Sequence, residues 1–321
     1  MGLRPVPAPD PAGAAAPAAS VGQRWRGRSR GGALLLRACA AALPVAGARG
    51  AWLIAWAISG AFVLTGGRQQ YGMIAYWRRL RPRAGIVLLH ILAWRHFASF
   101  GRIMCDRLLV CLRPKDYHIE LIGIEAMRAH RQQRRGCIML SAHVGNWELS
   151  NIWLHTIAEN AGKVHVVMVR NDQEEAQRMV DRQMRGHLTT VIDPRDGIGA
   201  SLAINAALQA GDMVCMLGDR VMGGQPSVTV DFLGGKARFP SGPFHTAMMT
   251  GAPILVGFLV KTGLRSYLVQ VDEPWFIRMP ARRADRPVVL QAAVQRWAKR
   301  LELQVRRYPQ QWHNFDDFWE R

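Results

Sequence analysis

Apolar and polar positions fall into three regimes along the chain. Residues 1–20 show no period and are rich in Pro and Ala, which reads as a tail without regular structure. Two long apolar stretches follow. Ala33 to Ala48 is broken only by Arg37, and Gly50 to Gly67 runs 18 residues without a charge between Arg49 and Arg68. From about Asp116 onward, short apolar runs alternate with stretches of helical period. The runs Cys137 to Leu140, Val164 to Val169, Thr189 to Ile192, Met213 to Leu217, Pro253 to Val260 and Tyr267 to Val271 predict strands. Ser227 to Leu233 alternates, and Gly234-Gly235 after it predicts a hairpin turn. Trp147 to Ile157, Ile198 to Leu208, Pro243 to Met249 and Pro287 to Arg307 carry the 3.6 period of helices. Strands alternating with helices predict an α/β fold with a central, mostly parallel sheet flanked by helices. No internal repeat is present.

Charge divides the same 321 residues at one place. Between Pro11 and Cys105 there is no Asp or Glu but there are 13 Arg, against a net charge of +19 for the whole chain. The organisation read from this is a tail at 1–32, a membrane-associated helical region at 33–105 and an α/β domain at 106–321. The 18-residue apolar stretch spans about 27 Å as a helix, near the thickness of a bilayer core. A spanning helix and an interfacial or buried one both fit. In either case Trp52 and Trp56, with Arg49, Arg68, Arg78, Arg79, Arg81 and Arg83, suit a membrane interface, and the arginines after the stretch would hold that side in the cytoplasm. An Arg-rich, acid-free start also fits an organellar transit peptide, though less well given the apolar segment behind it. Aromatic residues concentrate in the apolar region and not along a basic groove, which argues against nucleic acid. The five cysteines form no C-x-x-C pair and suit a reducing compartment.

The string with chemical content is Ser141-Ala142-His143-Val144-Gly145-Asn146-Trp147-Glu148. His143 falls just beyond the carboxyl end of a strand, where α/β sheets place their sites. It is the one His with an acid five positions on. On a continuous helix the two side chains would lie about 140° apart. They can meet only if His143 precedes the helix and Glu148 lies inside it, with Gly145 and Asn146 forming the turn. A carboxylate that orients an imidazole makes a general base. The one G-x-S-x-G string, Gly27 to Gly31, lies in the basic tail with no strand before it and is no nucleophile elbow.

The string H-V-G-N-W-E resembles the H-x-x-x-x-[DE] signature of the lysophospholipid acyltransferase superfamily, in the form common to its bacterial lipid A biosynthesis branch. The likeness continues in order through Arg170 after the second strand, the helix ending at Gly211-Asp212, Gly218-Asp219-Arg220, the Phe232 to Ala237 hairpin, Gly242 to Pro253, and Pro309-Gln310-Gln311-Trp312. Arg220 stands where that branch usually carries Gln, and the closing Asn314 to Trp319 resembles a different bacterial subgroup, so lipid A itself does not carry over as the acceptor.

What the resemblance implies is an O-acyltransferase at the bacterial inner membrane, its catalytic domain facing the cytoplasm. It would move a fatty acyl group from acyl carrier protein or coenzyme A to a hydroxyl of a lipid or glycolipid. Neither metal nor cofactor is called for beyond the acyl thioester itself. His143 would be the base and Glu148 its orienting acid. Arg170, Asp219, Arg220, Asn146, Ser241 and Gly242 are the candidates for substrate contact, the arginines because a guanidinium grips phosphate or carboxylate bidentately. The rivals are a thioesterase using the same pair and a non-catalytic basic membrane-binding protein.

Overall fold

The structure, a computed structural model, describes residues 33–65, 67–149, 162–169 and 189–319. The tail at 1–32, most of the helix expected from Trp147, and Arg170 lie outside them.

Among the described residues, seven strands build one sheet in the order β1-β9-β8-β2-β5-β3-β4. They are β1 (His118–Ile122), β2 (Cys137–Ser141), β3 (Val164–Val167), β4 (Thr189–Ile192), β5 (Met213–Leu217), β8 (Ile254–Lys261) and β9 (Ser266–Val271). All neighbours run parallel except β8 and β9. The four-residue link between those two is far too short for a parallel crossover, so they must form a hairpin. β2 and β8 are buried almost throughout, as central strands covered on both faces require. β6 (Ser227–Phe232) and β7 (Gly235–Pro240) form the expected separate hairpin.

The connections decide where a site can form. After β2 the chain moves to β3 on one side of the sheet, and after β5 it moves to β8 on the other. Adjacent strands whose connections leave in opposite directions open a crevice at their carboxyl ends. The fold therefore opens its crevice between β2 and β5.

Helices α4 (Ile124–Gln132), α5 (Ile198–Gln209), α6 (Gly242–Thr250) and α7 (Arg286–Arg307) accompany the sheet. On α7, Ala293, Val294, Trp297, Ala298, Leu301 and Val305 are buried at spacings of one, three and four residues and form the inner stripe of an amphipathic helix. β1 and α4 have no counterpart in the sequence reading. β1 is an edge strand with alternate exposed and half-buried residues, too short and polar to register as an apolar run.

Before β1 come α1 (Ala33–Thr65, kinked at Gly47), α2 (Arg68–Leu80) and α3 (Ile86–Leu112). α1 turns its small residues inward: Ala48, Ala51, Ala55 and Ser59 are buried. A Cβ added to Gly101 of α3 would come within 3.0 Å of the Ala55 Cβ, so the two backbones cross closely. The large residues of α1 face outward, with Trp52 37%, Leu53 60% and Ile58 38% exposed. No helix among the described residues is long and apolar enough to cross a membrane. α3 runs unbroken through residue 105, and Met73, Tyr76, Leu89, Ala93 and Phe97 share one core with Ile138, Leu140 and Trp297. The compositional change at that position is therefore no break in packing.

Candidate active site

The strand register places the central pair. Ser141 of β2 is the partner of Leu217 of β5. Two residues further on each chain stand His143 and Asp219. The Gly218 N–H extends the ladder by donating to the Ser141 carbonyl at 2.8 Å. A side chain at Gly218 would strike Leu140 and Trp297, at 2.8 and 3.2 Å. Asp219 follows this close approach and is completely buried.

Every donor around Asp219 is accounted for. The His143 ring donates from Nδ1 to Oδ1 at 2.8 Å, and the His143 backbone N–H donates to Oδ2 at 3.1 Å. The Trp312 indole N–H donates to Oδ2 at 3.0 Å. Burial by itself would raise the Asp219 pKa. The facing imidazole, the nearby Arg220 charge and the indole N–H outweigh it and hold the carboxyl at about 2. An ionised Asp219 can only accept, so Nδ1 carries the proton and Nε2 keeps its lone pair. Burial also lowers the His143 pKa, opposed by Asp219 and reinforced by Arg220 and Arg107. The imidazole is thus neutral near pH 7 and unprotonated at the nitrogen away from Asp219. The side chain of His143 is 22% exposed while that of Asp219 is fully covered.

The loop carrying His143 is clamped from two sides. Gly145 has φ +65° and bridges to Leu259 of β8; a Cβ there would stand 2.0 Å from the Leu259 carbonyl oxygen. Asn146 donates its backbone N–H to the same carbonyl at 2.9 Å. On the other side, Val144 bridges to Trp312, and the His313 N–H donates to the His143 carbonyl at 2.7 Å. The P-x-Q-W segment is therefore a strap across the His143 loop, and its tryptophan is the third donor to Asp219.

The other expected site residues are placed as follows. Glu148 does not hold the imidazole. Its carboxylate pairs with Arg107 of α3 at 2.5 Å, and the ring nitrogen it was expected to orient is taken by Asp219. Residues 147–149 are helical and turn Glu148 toward α3. Asp219, a candidate for substrate contact, is fully buried and instead accepts from the His143 ring, so it offers no surface to a substrate. Arg220 is exposed and donates to the His313 carbonyl; it makes no ion pair with Asp219. Asn146 is 0% exposed, and its amide donates to the Ile103 carbonyl and the Tyr267 hydroxyl, both at 3.4 Å, so it is a loop anchor and not a substrate contact. Ser241 and Gly242 open α6, where no side-chain cap bond forms and Ser241 is buried. No hydrogen bond joins them to His143 or Asp219 among the described residues. The sequence reading missed Trp312 as a partner of the acid and Arg107 as the partner of Glu148. The first could be found from the P-x-Q-W string; nothing local pointed to the second. Among the described residues no group of three or more His, Cys, Asp or Glu could hold a metal ion.

Residues 91–321 match the family model for bacterial lipid A biosynthesis acyltransferases, and that match covers well over half of the sequence. The chain belongs to this family. Within it, 202 residues are 24% identical to a phosphatidylinositol mannoside acyltransferase of Mycolicibacterium smegmatis, covering 63% of this chain and 62% of that one. A phosphatidylinositol mannoside acyltransferase of Mycobacterium tuberculosis is 26% identical over 200 residues, 61% of this chain and 58% of that one. The match thus takes in about three fifths of each relative's length. The crystal structure of the 1-acyl-sn-glycerophosphate acyltransferase PlsC from Thermotoga maritima aligns at 14% identity over 78% of this chain and 97% of that one, with a TM-score of 0.34. For this lipid A acyltransferase family member, the resemblance first carried by H-V-G-N-W-E holds at the level of the family.

Proposed function

We propose that this chain is an O-acyltransferase at a membrane surface, moving a fatty acyl group from an acyl thioester to a hydroxyl of a lipid or glycolipid. The observation that carries the reading is the His143 ring, held through Nδ1 by an ionised, buried Asp219 at 2.8 Å, with Nε2 left as a base at the sheet's carboxyl edge. Nε2 takes the proton of the acceptor hydroxyl as the oxygen attacks the thioester carbonyl. Asp219 stabilises the imidazolium that forms. The tetrahedral intermediate collapses with loss of the thiolate, which recovers the proton from Nε2, and the products are an ester and a free thiol. Arg220 at the rim is the candidate for an anionic group on either substrate. Acyl carrier protein and coenzyme A both fit the donor chemistry.

The names of the mycobacterial relatives support a glycolipid acceptor. The acid-free arginine-rich segment and the outward apolar residues of α1 support attachment to the cytoplasmic face of an inner membrane. The test is direct. Purified protein is given acyl-coenzyme A or acyl carrier protein and detergent-dispersed glycolipid, and the acylated lipid is followed by mass spectrometry beside thiol release. Acylated lipid should form and should vanish in His143→Ala. Thiol release matched only by free fatty acid would overturn acyl transfer in favour of hydrolysis.

A further inference from the structure

A cleft of about 550 Å³ lies where α1 and α3 meet the β8–β9 turn, and neither His143, Asp219 nor Arg220 lines it. Its walls include Arg49, Trp52 and Leu53 of α1, Arg102 of α3, Lys261 and Leu264. The charges in it do not balance. Lys261 is committed: its ammonium contacts Asp106 at 2.5 Å and the Leu264 carbonyl at 2.6 Å. Asp106 is spent as well, accepting from Lys261, Tyr117 and Tyr267. Arg49 and Arg102 then make no hydrogen bond or ion pair with any described residue.

Arg102 is the informative one. It is half-buried, and its Nε is shut away from solvent without a partner. Burial lowers its pKa, with Asp106 opposing and the exposed Arg95 reinforcing. A guanidinium with five donors, partly desolvated and unmatched, is costly to hold in a fold unless an anion meets it. The rim is apolar: Trp52, Leu53 and Leu264 are 37%, 60% and 42% exposed. Two free arginines beneath an exposed apolar lip match an anionic head joined to a hydrocarbon body, and not a wholly polar solute.

We propose that this cleft is a binding site for an anionic phospholipid, its phosphate between Arg49 and Arg102 and its glycerol and acyl region over Trp52, Leu53 and Leu264. The site is separate from the acyl-transfer chemistry and does not depend on it. The lipid would act as a fixed ligand that seats the helical region on an anionic membrane.

The test uses the full chain with short-chain dihexanoyl phosphatidylglycerol, dihexanoyl phosphatidylcholine and inorganic phosphate, reading the rise in Tm with ligand concentration. Phosphatidylglycerol should stabilise the protein, with phosphatidylcholine at least tenfold weaker. Arg102→Gln and Arg49→Gln should each weaken phosphatidylglycerol about 10- to 100-fold, as expected for a lost charge-assisted contact. Without ligand, Arg102→Gln should melt no lower than the parent, because it removes an unmatched charge. Arg282→Gln/Arg283→Gln, an exposed pair outside the cleft, should bind like the parent. Several outcomes overturn the proposal. Equal loss in the Arg282/Arg283 variant means diffuse charge attraction. Inorganic phosphate as effective as the lipid removes the lipid from the assignment. A drop of several degrees in unliganded Arg102→Gln makes Arg102 structural, and no stabilisation of the parent removes the site.

Discussion

Two carboxylates compete for the role of orienting the base, and Asp219→Asn set against Glu148→Gln decides between them. Asp219 meets the His143 ring at 2.8 Å, and Glu148 meets Arg107 at 2.5 Å. Asparagine keeps the volume of Asp219 and one acceptor for the Trp312 indole. It removes the charge, and its NH2 facing Nδ1 favours the tautomer with the proton on Nε2, which is useless as a base. The magnitude follows from Coulomb's law. With charge centres about 4 Å apart and an effective dielectric near 20, an imidazolium and a carboxylate attract by about 4 kcal/mol. At 1.36 kcal/mol per decade, losing that in the transition state costs about 10³-fold in kcat. Since Asp219 opposes the lowering of the His143 pKa, the acid limb of the rate profile, already below pH 6.5, should also move to lower pH. Glu148→Gln removes the carboxylate paired with Arg107 at 2.5 Å and should cost some stability and at most about tenfold in rate. The assay is thiol release from an acyl thioester with acceptor present, as kcat against pH, beside Tm for each variant. The reasoning fails if Asp219→Asn stays within threefold of the parent while Glu148→Gln loses 10³-fold.

Trp312→Phe deletes one donor to Asp219 Oδ2 and should raise the Asp219 pKa and lower kcat about 10-fold, with the loss falling on kcat more than on KM. Gly145→Ala forces φ +65° on an L-residue and a Cβ 2.0 Å from the Leu259 oxygen; it should destabilise by about 2 kcal/mol or more and lose activity, read as a fall in urea midpoint. His96 is fully buried, and burial lowers its pKa to about 3 although its Nε2 contact with the Trp312 carbonyl opposes this. Unfolded, it protonates near 6.5, so the stability it contributes is whole above that pH and lost as pH falls from 6.5 toward 3. Urea midpoints measured from pH 7.5 to 4 should decline, and His96→Phe should flatten the decline; an unchanged slope would count against this assignment.

The amino-acid sequence by itself determined the strands of the core and the residues at its chemical centre. Met213–Leu217 is observed at the bounds its apolar run predicts, because a buried parallel strand must be continuously apolar; Thr189–Ile192, at the edge of the sheet with Thr190 exposed, is also observed at its predicted bounds. The string around His143 and the closing Trp312 were legible because they resemble, in the same order, the motifs of the family that the chain matches. The tail at 1–32 and Arg170 fall outside the described residues and add nothing to either side.

What the tertiary structure decided is which acid faces the His143 ring. His143 and Glu148 are five residues apart, so local spacing suggests them. His143 and Asp219 are 76 residues apart, joined only because β2 and β5 lie side by side with Ser141 opposite Leu217. Register between distant strands is set by the packing of the whole sheet, and no local period encodes it. The same holds for α1, most of whose residues are apolar, so that its sequence singles out no inner face. Only the close crossing at Ala55 and Gly101 determines that its small residues turn inward and its tryptophan and leucine outward.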